Sequence, residues 1–205
     1  MRYCTLVPAM FTGIVQELGL ECSVRPSALT IEMSHAHCER IEVGGSIAVN
    51  GVCSSARELS VDAIVADLSR GTSTRTPLGK LRPGHQVNLE LPRTPSGGLD
   101  EHWVLGHVDA LGKAQALNQE GSEWVLIVES PTQYCRFVAE KGSLMVEGIS
   151  LTPYDLDGGN LRSAIIPETY ETTVLRDPRR GNSVNLEFDS LAKYVERMIR
   201  FVHSN

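Results

Sequence analysis

The chain has 205 residues, 41% hydrophobic and 21% charged, with a formal net charge of −6. That apolar content separates it from disordered sequences, and the length suffices for one large domain or two small ones. The acidic balance lacks the summed basic field that nucleic acids or anionic membrane surfaces attract, so neither is an expected partner, and no apolar run approaches a membrane span.

In chain order, residues 1–9 read as an extension outside the fold. They are too short for a secretory signal, and a second methionine follows in Met10-Phe11-Thr12-Gly13-Ile14-Val15. Ser46-Ile47-Ala48-Val49-Asn50 and Gln86-Val87-Asn88-Leu89-Glu90 alternate small or polar with apolar residues and predict strands. Thr94-Pro95-Ser96-Gly97-Gly98 has the composition of a linker. Trp124-Val125-Leu126-Ile127-Val128 predicts a further strand, and Pro131 to Glu140 a short helix. A second helix starts near Asp189-Ser190, both good N-cap residues. Leu191, Val195, Met198 and Val202 form its apolar stripe, opposite Lys193, Glu196, Arg197 and Arg200. The stripe needs a surface to bury against, either its own chain or a second copy. Frequent Gly and Pro turns between short strands predict a small barrel or sandwich.

Cys4, Cys22, Cys38, Cys53 and Cys135 are odd in number and include no C-x-x-C pair, which argues against a disulfide framework or a zinc knuckle. Free thiols in a reducing compartment, hence a cytoplasmic protein, are the expectation. His35-Ala36-His37-Cys38 and the pair His102 and His107 lack further ligands at recognisable spacing, so no metal site is expected.

The strongest signal is internal repetition. Gly45-Ser46-Ile47-Ala48-Val49-Asn50-Gly51-Val52-Cys53 parallels Gly142-Ser143-Leu144-Met145-Val146-Glu147-Gly148-Ile149-Ser150 at an offset of 97. Thr72, Thr76 and Leu78 parallel Thr169, Thr173 and Leu175 at the same 97, as does Gly84–Glu90 with Gly181–Glu187. Upstream, Gly13-Ile14-Val15 parallels Gly106-His107-Val108 at 93. A period near 100 residues is too long for a solenoid and indicates two similar domains. The division expected is an extension (1–9), a first unit (10–101), a second unit (102–188) and a terminal helix (189–205).

At this level of detail the chain resembles a known family. Its opening Met10–Val15, the segment Ser46–Cys53, Leu105-Gly106-His107-Val108-Asp109, the loops Gly148–Thr152 and Ile166–Thr169, and Ala192–Arg197 are similar, in order, to segments of riboflavin synthase and the related lumazine-binding antenna proteins. The resemblance implies an all-β fold of two tandem six-stranded Greek-key barrels plus a C-terminal α-helix that assembles a homotrimer. Each barrel would bind one 6,7-dimethyl-8-ribityllumazine, one molecule donating a four-carbon unit to the other to give riboflavin and a ribitylamino-pyrimidinedione, with no metal or organic cofactor. It further implies substrate contacts from Gly13, Ile14, Val15, Cys53, Ser54, Ser55, Asp67, Leu68, Ser69, Thr72, Gly106, His107 and Val108. Lys141, Ser150, Leu151, Thr152, Ile166, Pro167, Glu168 and Thr169 complete that set. Cys53, His107, Ser46 and Ser150 would be the catalytic candidates.

The residue types suit that chemistry. Joining two copies of one molecule calls for two sites held face to face, which converts a bimolecular step into an effectively unimolecular one. Hydroxyls at Ser46, Ser55, Thr72, Ser150, Thr152 and Thr169 suit a ribityl chain, and His107 suits proton transfer. Cys53 stands where the other repeat has Ser150, an inequality expected of donor and acceptor sites. Three segments depart from the family: Ser54-Ser55-Ala56 replaces Leu-Thr-Val, Gly71 replaces a Glu that Glu168 provides in the second repeat, and Asp100-Glu101 replaces Gly-Gly before His102. The first two alter the first site, so a non-catalytic lumazine- or flavin-binding protein is the alternative reading.

Overall fold

A computed structural model of the chain describes residues 10–25, 27–94, 101–176 and 182–203. The expected extension (1–9) and residues 95–100 of the linker region lie outside them. In the first repeat, β1 (Glu17–Arg25), β2 (Ala28–Glu32), β3 (Ser46–Val49), β4 (Val52–Leu59), β5 (Ala63–Asp67) and β6 (Gln86–Glu90) close into a barrel in the order β1-β2-β5-β4-β3-β6. A one-turn helix, α1 (His35–Cys38), follows β2, and α2 (Arg70–Arg75) leads into a 3₁₀ turn at Pro77–Lys80. Closure pairs every strand on both sides and removes exposed edges.

The second repeat runs β7 (Ala110–Glu120), β8 (Glu123–Glu129), β9 (Leu144–Val146), β10 (Ile149–Leu151), β11 (Pro153–Asp157), β12 (Asn160–Ile165), α3 (Pro167–Thr172) and β13 (Ser183–Phe188). Its sheet order, β10-β9-β13-β7-β8-β12-β11, repeats the circuit of the first barrel. Seven strands stand where six were expected because the counterpart of β4 is split at Thr152. Pro153, next in line, has no N–H to continue the ladder, so the curled sheet ends on two successive segments of one strand.

Alternation sends apolar side chains inward. Leu29, Ile31, Ile47, Ile64, Val87 and Leu89 fill the first barrel, and Leu126, Val128, Leu144, Leu161, Leu186 and Phe188 the second. Phe11, Ala48, Val104 and Met145 form a third cluster where the repeats meet, and Phe11 pairs with Val104 in an isolated β-bridge. Two hairpin turns abut at this seam. Asn50-Gly51 (φ +47°, +74°) and Glu147-Gly148 (φ +52°, +82°) both use the left-handed region that a two-residue hairpin demands. A Cβ on Gly148 would come within 2.6 Å of the Gly51 nitrogen, so the turns pack too closely for a side chain at that glycine.

The predicted strands at 46–50, 86–90 and 124–128 coincide with β3, β6 and the centre of β8. Pro131 to Glu140 is helical only over a 3₁₀ segment, Thr132–Phe137, whose Tyr134 and Phe137 rings pack on Phe188. The terminal helix, α4 (Ser190–His203), starts where expected, with Asp189 Oδ1 accepting from the Leu191 N–H at 2.8 Å. Lys193–Asp109 and Arg136–Glu196 ion pairs, at 2.8 and 3.0 Å, tie it to the second repeat. Leu191, Tyr194, Val195, Met198 and Val202 nevertheless stay 54–71% exposed, so the stripe is not buried on its own chain.

Candidate functional site

The opening loops of the two repeats are held by matching carboxylates. Glu90, at the end of β6, accepts from the Thr12 and Gly13 N–H groups and the Thr12 hydroxyl at 2.7–3.0 Å. Glu187, its counterpart on β13, accepts from the Leu105, Gly106 and His107 N–H groups at 2.8–3.0 Å. Both carboxylates are buried, which pushes their pKa values up while those donors pull them down.

So held, each loop lies across the other repeat. The Gly106 carbonyl accepts from the Cys53 N–H at 2.9 Å, and the Gly13 carbonyl from the Ser150 N–H at 2.8 Å. Both glycines have φ +76°, and an added Cβ would fall 2.5 Å from Cys53 Cβ or 2.6 Å from the Ser150 nitrogen. Only glycine allows this approach. The seam therefore carries two crossed candidate sites: Cys53 with Gly106-His107-Val108, and Ser150 with Gly13-Ile14-Val15.

At the first site, burial pushes the Cys53 thiol up, a side-chain hydrogen bond with Ser46 opposes this, and Glu187 adds to it. The sulfur is thus a neutral thiol at neutral pH rather than a resting thiolate. Val108 packs against the first-barrel core, while His107 is exposed. Ser69 caps α2, accepting from the Thr72 N–H at 3.0 Å, and the two hydroxyls lie 2.8 Å apart. Other candidates are committed elsewhere. Asp67 pairs with Arg57 at 2.6 Å, the Leu68 side chain is core, and Ser55 is exposed. Ser54 is buried where the second repeat places Leu151, so the departure exchanges an apolar interior position for a hydroxyl.

At the second site, a cavity of about 270 Å³ is bounded by Gly13, Ile14, Val15, Ile149, Ser150, Glu168 and Thr169. Six of these are among the sequence candidates. Leu151 belongs to the core, Thr152 is exposed at the strand break, and Ile166 precedes α3, whose first residue is Pro167. Lys141 is not in the wall; its ammonium lies 5.4 Å over the Tyr154 ring. Glu101, Ile149, Thr172 and Thr173 in this wall, and His102 behind it with Nδ1 2.8 Å from Ser150 Oγ, are outside the set expected from sequence. The departure at Asp100-Glu101 was the available signal. Helices α2 and α3 are likewise not expected from sequence, where Ile166–Thr169 reads as a loop.

A larger groove of about 930 Å³ opens on the second repeat around the stacked Trp124 and Tyr170 rings and contains none of the sequence candidates. His35 and His37 contact Glu39 and Glu17, and among the described residues no three His, Cys, Asp or Glu side chains gather as a metal cluster. No helix among the described residues is long and apolar enough to cross a membrane.

Comparison with known proteins places this geometry in a context. The Lumazine binding domain family matches twice, over residues 12–92 and 105–189. Riboflavin synthase of Mycobacterium tuberculosis (strain ATCC 25618 / H37Rv) is 42% identical over 200 residues, covering 93% of this chain and 98% of that protein. Riboflavin synthase of Photobacterium phosphoreum is 34% identical over 195 residues, 93% of this chain and 89% of that protein. Among solved structures, LumP complexed with riboflavin superposes with a TM-score of 0.79 at 21% identity, covering 87% of this chain and 98% of LumP. LumP complexed with 6,7-dimethyl-8-(1'-D-ribityl) lumazine gives 0.77 at 20% identity over 86% and 98%.

Proposed function

The chain belongs to the riboflavin synthase family, and from that membership we propose that it is a transferase converting two molecules of 6,7-dimethyl-8-ribityllumazine into riboflavin and 5-amino-6-(ribitylamino)uracil. The observation that carries the reading is the crossed pair of sites. A dismutation needs two related but unequal sites, and the matching loop contacts at Cys53 and Ser150, one a thiol and the other a hydroxyl, support that reading.

Cys53, as a neutral thiol supported by Ser46, is suited to donate a hydrogen bond to one bound ring. The acid–base candidates are His107 beside the first site and Ser150 in the second, the first site taking its lining from Gly106, Val108 and the Ser69-Thr72 turn. The hydroxyl-rich wall of the second pocket suits the ribityl chain. Association of three copies through the exposed stripe of α4 would bring the first site of one subunit to the second site of its neighbour, which is how two bound lumazines meet. Four free thiols among the described residues support a reducing, cytoplasmic setting.

The test is direct. Purified protein incubated with 6,7-dimethyl-8-ribityllumazine should accumulate riboflavin, followed by its absorbance, at one product per two substrates consumed. Tight binding of one ligand per chain without riboflavin would instead establish the non-catalytic reading, which the Ser54-Ser55-Ala56 and Gly71 departures favour.

A further inference from the structure

The centre of the second pocket is wired differently from the centre of the first. Ser150 Oγ lies 2.8 Å from His102 Nδ1 and 3.3 Å from Glu101 Oε2. At the 93-residue offset that relates the opening loops, the first repeat has Pro8 and Ala9, neither of which carries a titratable side chain.

A hydroxyl has one proton and a carboxylate only accepts. With both contacts made, the Ser150 O–H donates to Glu101, so Oγ is an acceptor toward His102 and Nδ1 must carry the proton. We propose that Glu101 is a positioning residue of the second site: it fixes the direction of the Ser150 hydroxyl, which holds His102 in its Nδ1-protonated tautomer and presents Ser150 to a bound ligand solely as a hydrogen-bond acceptor. Burial lowers the pKa of His102 against the opposing charges of Asp189 and Glu101, so the imidazole is neutral and Nε2 keeps its lone pair. A ligand at this pocket is thus recognised through a donor group, an N–H or a polyol O–H, whereas the Cys53 thiol of the other site has a proton to give. This assignment rests on the reading of the Ser150 pocket as a ribityllumazine site.

The decisive measurement does not need turnover. In ligand-free protein labelled with ¹⁵N-histidine, and with His102 assigned by loss of its signals in His102→Gln, Nδ1 should resonate as a protonated nitrogen and Nε2 as a bare one. In Glu101→Gln the amide can donate to Ser150, turning the hydroxyl toward His102, and the two signals should exchange character. Glu101→Gly should give a mixture. A wild-type Nε2-protonated form, or shifts unmoved in both variants, overturns the proposal. With substrate, Glu101→Gln should lower kcat by about ten-fold or more while KM stays within about three-fold, and Glu101→Asp should recover part of the loss. An unchanged kcat in Glu101→Gln also overturns the proposal. If the tautomer behaves as stated but the wild type makes no riboflavin, the assignment of Glu101 stands and the catalytic reading fails.

Discussion

Asn88 Nδ2 and Asn185 Nδ2 each reach the hairpin turn of the other repeat, at 2.8 Å to the Glu147 carbonyl and 3.0 Å to the Asn50 carbonyl. Their carbonyl oxygens fare differently. Asn88 Oδ1 accepts from the Val174 N–H at 2.9 Å, while the residue 97 positions before Val174 is Pro77, which has no N–H, and Asn185 Oδ1 is buried without a partner among the described residues. Asn88→Ala should therefore destabilise more than Asn185→Ala, by about 1–3 kcal/mol in urea denaturation, since it also strands the Val174 N–H. Equal losses would contradict this account. Beside Asn185, burial pushes Glu147 up to about 8 from an ordinary 4.5, against a hydrogen bond from the Asn185 N–H. The folded chain then holds a proton that the unfolded chain releases. This contribution is full below about pH 4.5 and fades as pH rises toward 8, a swing of up to about 5 kcal/mol. Glu147→Gln, which keeps the neutral shape, should flatten the fall of Tm between pH 5 and 8 relative to the wild type. Parallel profiles would show that Glu147 is not its source.

Among the elements, the opening loops have the most exacting geometry. Gly106→Ala would drive a methyl into Cys53 and strain a left-handed φ, lifting the loop off the first site, and Gly13→Ala would do the same at Ser150. Each should cost about 2 kcal/mol or more in stability and abolish riboflavin formation, with binding lost at one site only, as read by ligand titration. Full activity in either variant would mean that the loop does not shape the pocket. The strands and the doubling were legible because alternation and a constant 97-residue register are periodic signals. The crossing was not. Alternation tells which face of a strand is inward, and says nothing of which loop lies over its end. Helices α2 and α3, six residues each, are too short for a helical period to emerge. Glu101 sits in a non-repeating connection, so its approach to Ser150 is a product of tertiary folding.

At the scale of the whole molecule, α4 is the outlier: two ion pairs tie it to the body while its stripe faces solvent. In the trimer reading, deleting the chain after Asp189 should convert the trimer into monomers in light scattering and remove activity while each repeat still binds ligand. An unchanged mass would rule out α4 as the assembly element. The crossed loops also have a consequence for inheritance. A defect in the Cys53 site lies partly in the coding sequence of the second repeat, and one in the Ser150 pocket partly in that of the first. The two halves of the gene cannot drift independently, however unequal their sites become. Second-site suppressors of a damaged Cys53 site should map to residues 104–108, about fifty codons away, and a selection for restored riboflavin synthesis would read that linkage directly.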